Sequence, residues 1–261
     1  MTQRSTMRLT GPFESAALLS VLPVPARATA STRGVLPWAP LVGLVLGGIA
    51  TGVAVAGERW ISPLAGAVLG IASLAVMTRG LHLDGLADTA DGLGPLRSRQ
   101  RSLQVMHQSD IGPFGVVTVV FTLLLQVACL AALLPTEGGW PALWTAVAVA
   151  RLAMARTGLP GVPVAEGSSL GSLVTGTVSA VWLAGWTLVL GALLVAAAVV
   201  GAGSVAVAAW LALSGTAGLL AAEVVYRRAR ARLGGVTGDV MGAMGETATA
   251  AVLLVAAVAV R

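Results

Sequence analysis

Runs of Ala, Val, Leu and Gly about twenty residues long, each closed by a short polar stretch, set the rhythm of this chain. A helix needs roughly 20 mainly apolar residues to cross a bilayer. Seven stretches meet that length: 36–56, 60–78, 113–134, 140–158, 178–200, 204–226 and 240–260. Residues 13–22, FESAALLSVL, are apolar but too short to span, and Pro23 and Pro25 stop them, which predicts a short interfacial helix. No signal-peptide cleavage pattern follows it. The expected fold is all-α: a polytopic membrane helix bundle of about seven spans, or six if one fails, forming a single integral membrane domain over 1–261. Within it, 1–33 reads as a cytoplasmic N-terminal segment and 79–112 as an acidic, arginine-rich cytoplasmic segment.

Composition agrees with this pattern. With 56% hydrophobic and 10% charged residues the chain lies outside the range of soluble domains. All sixteen basic residues are Arg. If the N-terminus is cytoplasmic, Arg4, Arg8, Arg27, Arg33, Arg79, Arg97, Arg99, Arg101, Arg156, Arg227, Arg228, Arg230 and Arg232 fall inside, Arg59 and Arg261 outside, and Arg151 within a span. The positive-inside rule favours that orientation. Topology and anionic lipid account for the net charge of +5, so nucleic acid is not an expected partner. The single cysteine, Cys129, sits in an apolar run and excludes an internal disulfide and a cysteine-rich metal site.

Against this apolar background the stretch LHLDGLADTADGLG, residues 81–94, holds three of the chain's eleven acidic residues. On a helix Asp84, Asp88 and Asp91 fall at about 0°, 40° and −20°, one narrow stripe, with Leu86 and Leu93 opposite. Neighbours on such a stripe have Cβ atoms about 5–6 Å apart. Carboxylates that close can share divalent cations, and all-oxygen ligands favour Mg²⁺ or Mn²⁺ over zinc. Solvated acids on a loop or in a first helical turn are the plain alternative. A second pair, Asp239 and Glu246, lies seven residues apart on the helix-forming segment GGVTGDVMGAMGE. Gly234, Gly235 and Gly238 ahead of it permit close backbone approach, and the helix start offers N–H groups to a phosphate; Gly242, Ala243 and Gly245 equally suit helix packing. Arg97, Arg99 and Arg101 could bind a diphosphate through their guanidinium forks or merely mark the cytoplasmic side. Arg151, mid-span, needs a cavity or a carboxylate partner. His82 and His107 could act as bases or fill interfacial hydrogen-bonding positions.

The motifs LHLDGLADTADG, SDIGPFG, GSLGSLVTGTVS and LGGVTGDVMGAMGE, in that order, together with FESAALLSVLPVP and LPWAPLVGLVLGG, resemble the cobalamin-5′-phosphate synthase family, the adenosylcobinamide-GDP ribazoletransferases. The resemblance runs over nearly the whole chain, and HLDGLADTADG is its most specific block. It implies a multi-pass inner-membrane, Mg²⁺-dependent enzyme with its active site on the cytoplasmic face. Such an enzyme joins adenosylcobinamide-GDP to α-ribazole or its 5′-phosphate, releases GMP and completes adenosylcobalamin, vitamin B12. By position, Asp84, Asp88 and Asp91 match the family's acidic motif, Asp239 and Glu246 its C-terminal one, and His82 matches as well. The chemistry of the residues then assigns Asp84, Asp88 and Asp91 to metal, with Asp239 and Glu246 as further ligands or base; Asp84, Asp88, Asp91 and His82 are the expected catalytic residues, and Arg97, Arg101, Arg151, Gly235 and Gly238 the expected substrate-binding ones. Which carboxylate is the base stays open. In the family's pattern many members carry Arg where this chain has Asp110, so the resemblance implies no role for Asp110, and 158–167, with Glu166, carries over no role. A homo-oligomer or association with other cobalamin-assembly enzymes is compatible with this reading.

Two other classes fit the residues less well. A CDP-alcohol phosphotransferase needs DG followed by AR and later GxxxDxxxD; here Asp84-Gly85 leads to Ala87-Asp88 and no such second motif follows. A cation transporter predicts acids near mid-span on several helices, whereas Asp84 to Asp91, Asp110, Glu166 and Asp239 cluster towards one face.

Overall fold

A computed structural model describes residues 10–26, 30–202 and 204–259. Arg4, Arg8, Arg27 and Arg261, counted in the charge asymmetry, lie outside the described residues. The architecture is all-α, as expected: α1 Gly11–Leu19, α2 Val35–Trp60, α3 Pro63–Met77, α4 Leu81–Leu93, α5 Arg99–Met106, α6 Pro113–Leu133, α7 Pro141–Ala155, α8 Ser169–Val174, α9 Ala180–Ala202, α10 Val205–Leu233 and α11 Gly238–Ala259. Among the described residues there is no strand, only an isolated parallel bridge between Val164 and Val236.

Five helices, α2, α6, α9, α10 and α11, are long and apolar enough to cross a membrane. The bent pair α3 and α4, counted as one span, makes a sixth. The 60–78 stretch forms the 15-residue α3 and the 140–158 stretch the 15-residue α7. Each rises about 22 Å, less than a hydrocarbon core of about 30 Å, yet α3 runs from the Trp60 end of α2 back to Met77, whose carbonyl accepts from Val21 N beside α1. Every residue of α7 except Trp144 is buried, so its apolarity serves the protein interior, where α2, α9, α10 and α11 pack around it. By contrast α6 and α9 leave Phe121, Leu124, Val181 and Leu188 exposed, a surface whose natural solvent is lipid. Trp38 and Trp60 mark the two ends of α2, about 33 Å apart along the axis. At the Trp38 end Trp182 and Trp186 both donate Nε1–H to the Pro37 carbonyl, at 2.7 and 2.9 Å, and the three rings pack edge to face. That is the placing expected of an aromatic belt.

Helices meet closely where side chains are small. A Cβ on Gly57 would meet Gly66 Cα at 2.8 Å, which locks α2 to α3; one on Gly43 would meet Arg151 Cβ at 3.0 Å, which locks α2 to α7. Such small-residue seams supply packing where lipid removes the hydrophobic drive. The polar connections gather at one end of the bundle. There Arg232 donates to the Pro95 carbonyl, Arg79 to that of Leu18, and Val236 pairs with the 163–165 backbone. α4 departs from the direction of α3 by 88°, and its C-terminal end meets this polar end, where Arg97 donates to the Asp91 carbonyl.

The short helix begins two residues earlier than expected and is tied into the bundle. Glu14 is buried; it accepts from the Gly34 N–H and the Thr10 hydroxyl, both at 2.8 Å, while Ser15 donates to the Val35 carbonyl. These contacts hold α1 against the start of α2. Glu14→Ala leaves the Gly34 N–H without its acceptor at a cost of about 1–3 kcal/mol. A lower melting temperature of the purified variant in detergent is the expected result, and an unchanged one would show that the Glu14 contacts do not hold α1.

Candidate active site

The helix predicted over the three aspartates forms, and its two faces differ as the phase requires. Leu86 and Leu93 are buried, at 5% and 6% exposure. The aspartates themselves face three environments. Asp84 is exposed, Asp88 half-buried and Asp91 buried. Asp91 holds structure together, since its Oδ2 accepts from Gly112 N at 2.7 Å and its Oδ1 from Gly115 N at 3.0 Å. It thereby supplies the acceptor that the orphan N–H groups at the start of α6 need. A Cβ at Gly112 or Gly115 would collide with that carboxylate, which explains both glycines of SDIGPFG.

Asp84 and Asp88 meet Asp239 because α4 crosses α11 at glycine. A Cβ on Gly85 would stand 2.7 Å from the Asp239 carbonyl oxygen, and one on Gly242 3.1 Å from that of His82. The two backbones are therefore in van der Waals contact, and the first turn of α11 brings its acid to the acids of α4. The electrostatic consequence falls on Asp88. Its carboxyl is pushed up to about 7, first by burial and then by the charges of Asp84, Asp239 and Asp91, with His107 opposing. Among the described residues no three Asp, Glu, His or Cys side chains close around an ion. The cluster is open, made of hard oxygen donors that repel one another, which is the donor chemistry that suits Mg²⁺.

Beside this cluster lies a cavity of about 290 Å³. Its walls come from α1, α2, α4, α5, α7, α8 and α11, and its polar lining includes His82, His107, Ser168, Thr237 and Asp239. Thr237 caps α11, accepting from Val240 N at 3.1 Å, and its hydroxyl reaches the Asp239 carboxylate at 3.3 Å. Gly238 lines the cavity, whereas Gly235 serves packing, since a Cβ there would strike the 163–165 backbone.

The remaining sequence candidates are spread more widely. Arg97 bonds the Asp91 carbonyl and Arg101 the Gln104 side chain, both outside the cavity lining. Arg99 lies against Gly234. Arg151 is buried behind the cavity, its Nη2 3.5 Å from His82 Nδ1. Glu246, two turns and about 10 Å along α11 from Asp239, accepts from Gln126 Nε2 at 3.0 Å. Ser109 and Asp110 are exposed ahead of α6. Arg156 is paired at 2.8 Å with Glu223 and stacks over Tyr226. Two residues that sequence reasoning left without a role enter the picture: Glu14, which fixes a cavity wall, and Gln126. Glu14 is the one charged residue of α1 and Gln126 the one amide side chain of α6, a signal visible in the sequence.

The same chain has clear relatives. A family model for cobalamin-5-phosphate synthase matches residues 13–257. The chain is 37% identical over 260 residues to an adenosylcobinamide-GDP ribazoletransferase of Frankia casuarinae, covering 93% of this chain and 92% of that one. Equally named proteins of Corynebacterium efficiens and Chlorobaculum tepidum are 34% and 32% identical, over 93% and 95% of this chain and 89% and 95% of theirs. No solved structure matches.

Gly85→Ala tests the helix crossing. The new methyl group must part α4 from α11 at a cost of about 1–3 kcal/mol, whereas Gly191→Ala, with nothing within 4 Å, should leave thermal stability unchanged or raise it slightly. Equal melting temperatures for the two variants would contradict the crossing.

Proposed function

This chain belongs to the cobalamin-5-phosphate synthase family, and from that premise we propose that it joins adenosylcobinamide-GDP to α-ribazole or its 5′-phosphate with release of GMP. The observation that carries this reading is the crossing of α4 and α11, which sets Asp84 and Asp88 against Asp239 beside a cavity. A ribose hydroxyl of the acceptor attacks the phosphorus bearing the cobinamide arm. The phosphoanhydride bond to GMP breaks, GMP leaves with the bonding pair, and the hydroxyl proton passes to a carboxylate.

Roles follow from position. Among the described residues Asp239 is the carboxylate that lines the cavity, so it is assigned the proton of an acceptor held there. Asp84 and Asp88, on the adjoining turn of α4, would hold Mg²⁺. When bound, the ion supplies positive charge to the diphosphate and to the departing phosphate. Asp91 and Glu246 support the site indirectly, Asp91 by fixing α6 and Glu246 through Gln126 and Arg151. A transport path is disfavoured by the Arg151 guanidinium in the bundle interior, which repels a permeating cation. The arginine distribution and the family together support a multi-pass inner-membrane protein with this end cytoplasmic. A cysteine introduced at exposed Ser98 should then react with an impermeant thiol reagent in inverted vesicles and stay unlabelled in right-side-out ones; the opposite pattern would reverse the orientation.

The decisive assay follows GMP and corrinoid product from purified protein given both substrates, with and without Mg²⁺. Wild type should turn over only with the ion, and Asp88→Asn should lose nearly all activity while remaining membrane-inserted; near wild-type release by that variant would sink the assignment. The sign of the pH effect follows from Asp88. A carboxyl raised to about 7 is protonated below that value, so Mg²⁺ affinity should fall as pH drops from about 8 to about 6. Affinity independent of pH across that range would remove Asp88 from the ligands.

A further inference from the structure

The cavity is made of two unlike parts. Most of its wall is aliphatic or thioether, from Leu18, Leu36, Met106, Met154, Leu170 and Met241, while the polar groups His82, His107 and Asp239 also line it. At about 290 Å³ it is far too small for a corrin ring and is near the lower end of ligand-binding cavities, about 300 Å³. Methionine and leucine walls suit a flat apolar heteroaromatic, because thioether sulfur packs favourably on aromatic rings.

A second, independent feature points to a ligand. His82 is 1% exposed, lines the cavity, and its Nε2 has no hydrogen-bond partner. A buried polar atom left unpaired is costly unless something else satisfies it. Its other nitrogen, Nδ1, faces Arg151 Nη2 at 3.5 Å. A guanidinium only donates, so Nδ1 must accept and the ring proton must sit on Nε2. His82, a residue of the cavity wall, therefore carries an unpaired buried donor. Behind it stands a buried series of groups: Arg151 in the field of Glu246, and Glu246 bound by Gln126 at 3.0 Å, with Gln126 reaching across from α6. Glu246, bound by Gln126, acts on Arg151 through its charge, and Arg151 lies against the Nδ1 side of the His82 ring.

We propose that this cavity is the nucleoside subsite, taking the aromatic base of α-ribazole against its Leu and Met walls. The ribose then lies towards Asp239, and His82 Nε2–H donates to the bound nucleoside. The identity of the nucleoside rests on the transferase reading above; the cavity's selectivity for an apolar base carrying a sugar does not. The diphosphate substrate is thereby assigned to the open face of the cluster, at Asp84 and Asp88.

Calorimetric titration of α-ribazole into the purified full-length protein, with neither corrinoid nor metal, tests the subsite apart from catalysis. Wild type should bind, and Leu170→Trp, which fills the cavity from the half-buried α8, should weaken binding at least about tenfold. Leu173→Trp, at an exposed position of the same helix, should bind as wild type does and controls for folding. His82→Phe should also lose about tenfold, and His82→Gln, which restores a donor near the Nε2 position, should recover most of it. In the steady state, Leu170→Trp should raise KM for α-ribazole while leaving KM for adenosylcobinamide-GDP unchanged. Absence of binding by wild type, equal binding by Leu170→Trp, or a rise in KM for the corrinoid substrate alone would overturn the subsite. Binding without any GMP release would instead retain the subsite and overturn the transferase reading.

Discussion

The structure depends on one close contact, the crossing of α4 and α11 at Gly85 and Gly242. Three carboxylates can be gathered only if the helices bearing them approach to backbone contact, and any side chain at Gly85 would prevent that. Other features serve the same crossing. α4 is held from a second side by Asp91, whose two oxygens take the N–H groups of Gly112 and Gly115. On a third side Gly92 admits Met106 of α5. The mutual repulsion of Asp84, Asp88 and Asp239 is offset by packing elsewhere in the bundle. The free energy released when a cation relieves it is available for binding.

The interior polar groups are placed under the same constraint. A cation at mid-bilayer costs about 2.5–3.5 kcal/mol, and Arg151 is tolerated because α7 lies inside the bundle, with Glu246 to offset its charge and His82 to accept from it. Gln126 completes the arrangement from α6. Gln126, Glu246, Arg151 and His82 thus form a buried polar series from α6 to the wall of the cavity, joined by hydrogen bonds at its two ends and by charge between Glu246 and Arg151.

Much of this was legible in the sequence, for identifiable reasons. Hydrophobic run length marked out the helices, and helical phase gave the acidic stripe with Leu86 and Leu93 behind it. The motifs pointed to the family. Less legible was anything that depends on which helices meet. Phase places Asp91 on the stripe but cannot say that the start of α6 will occupy its oxygens. Seven-residue spacing puts Glu246 on the face of Asp239, yet two helical turns separate them, and the deeper residue meets Gln126 instead. Apolar composition reads the same whether a helix faces lipid or protein, so the burial of α7 inside the bundle could not be read from it. Glu14 stood in plain view as an acid in an apolar helix, and its partner, the Gly34 N–H, is twenty residues distant.

The most direct test is an experimental structure of the protein with adenosylcobinamide-GDP and Mn²⁺ in place of Mg²⁺, the ion located by its anomalous scattering. The ion is expected on the carboxylate oxygens of Asp84 and Asp88, with Asp239 facing the cavity and Asp91 still bound to Gly112 and Gly115. An ion coordinated by Asp91 or Glu246, with Asp84 and Asp88 free of it, would contradict the placing of the metal on α4.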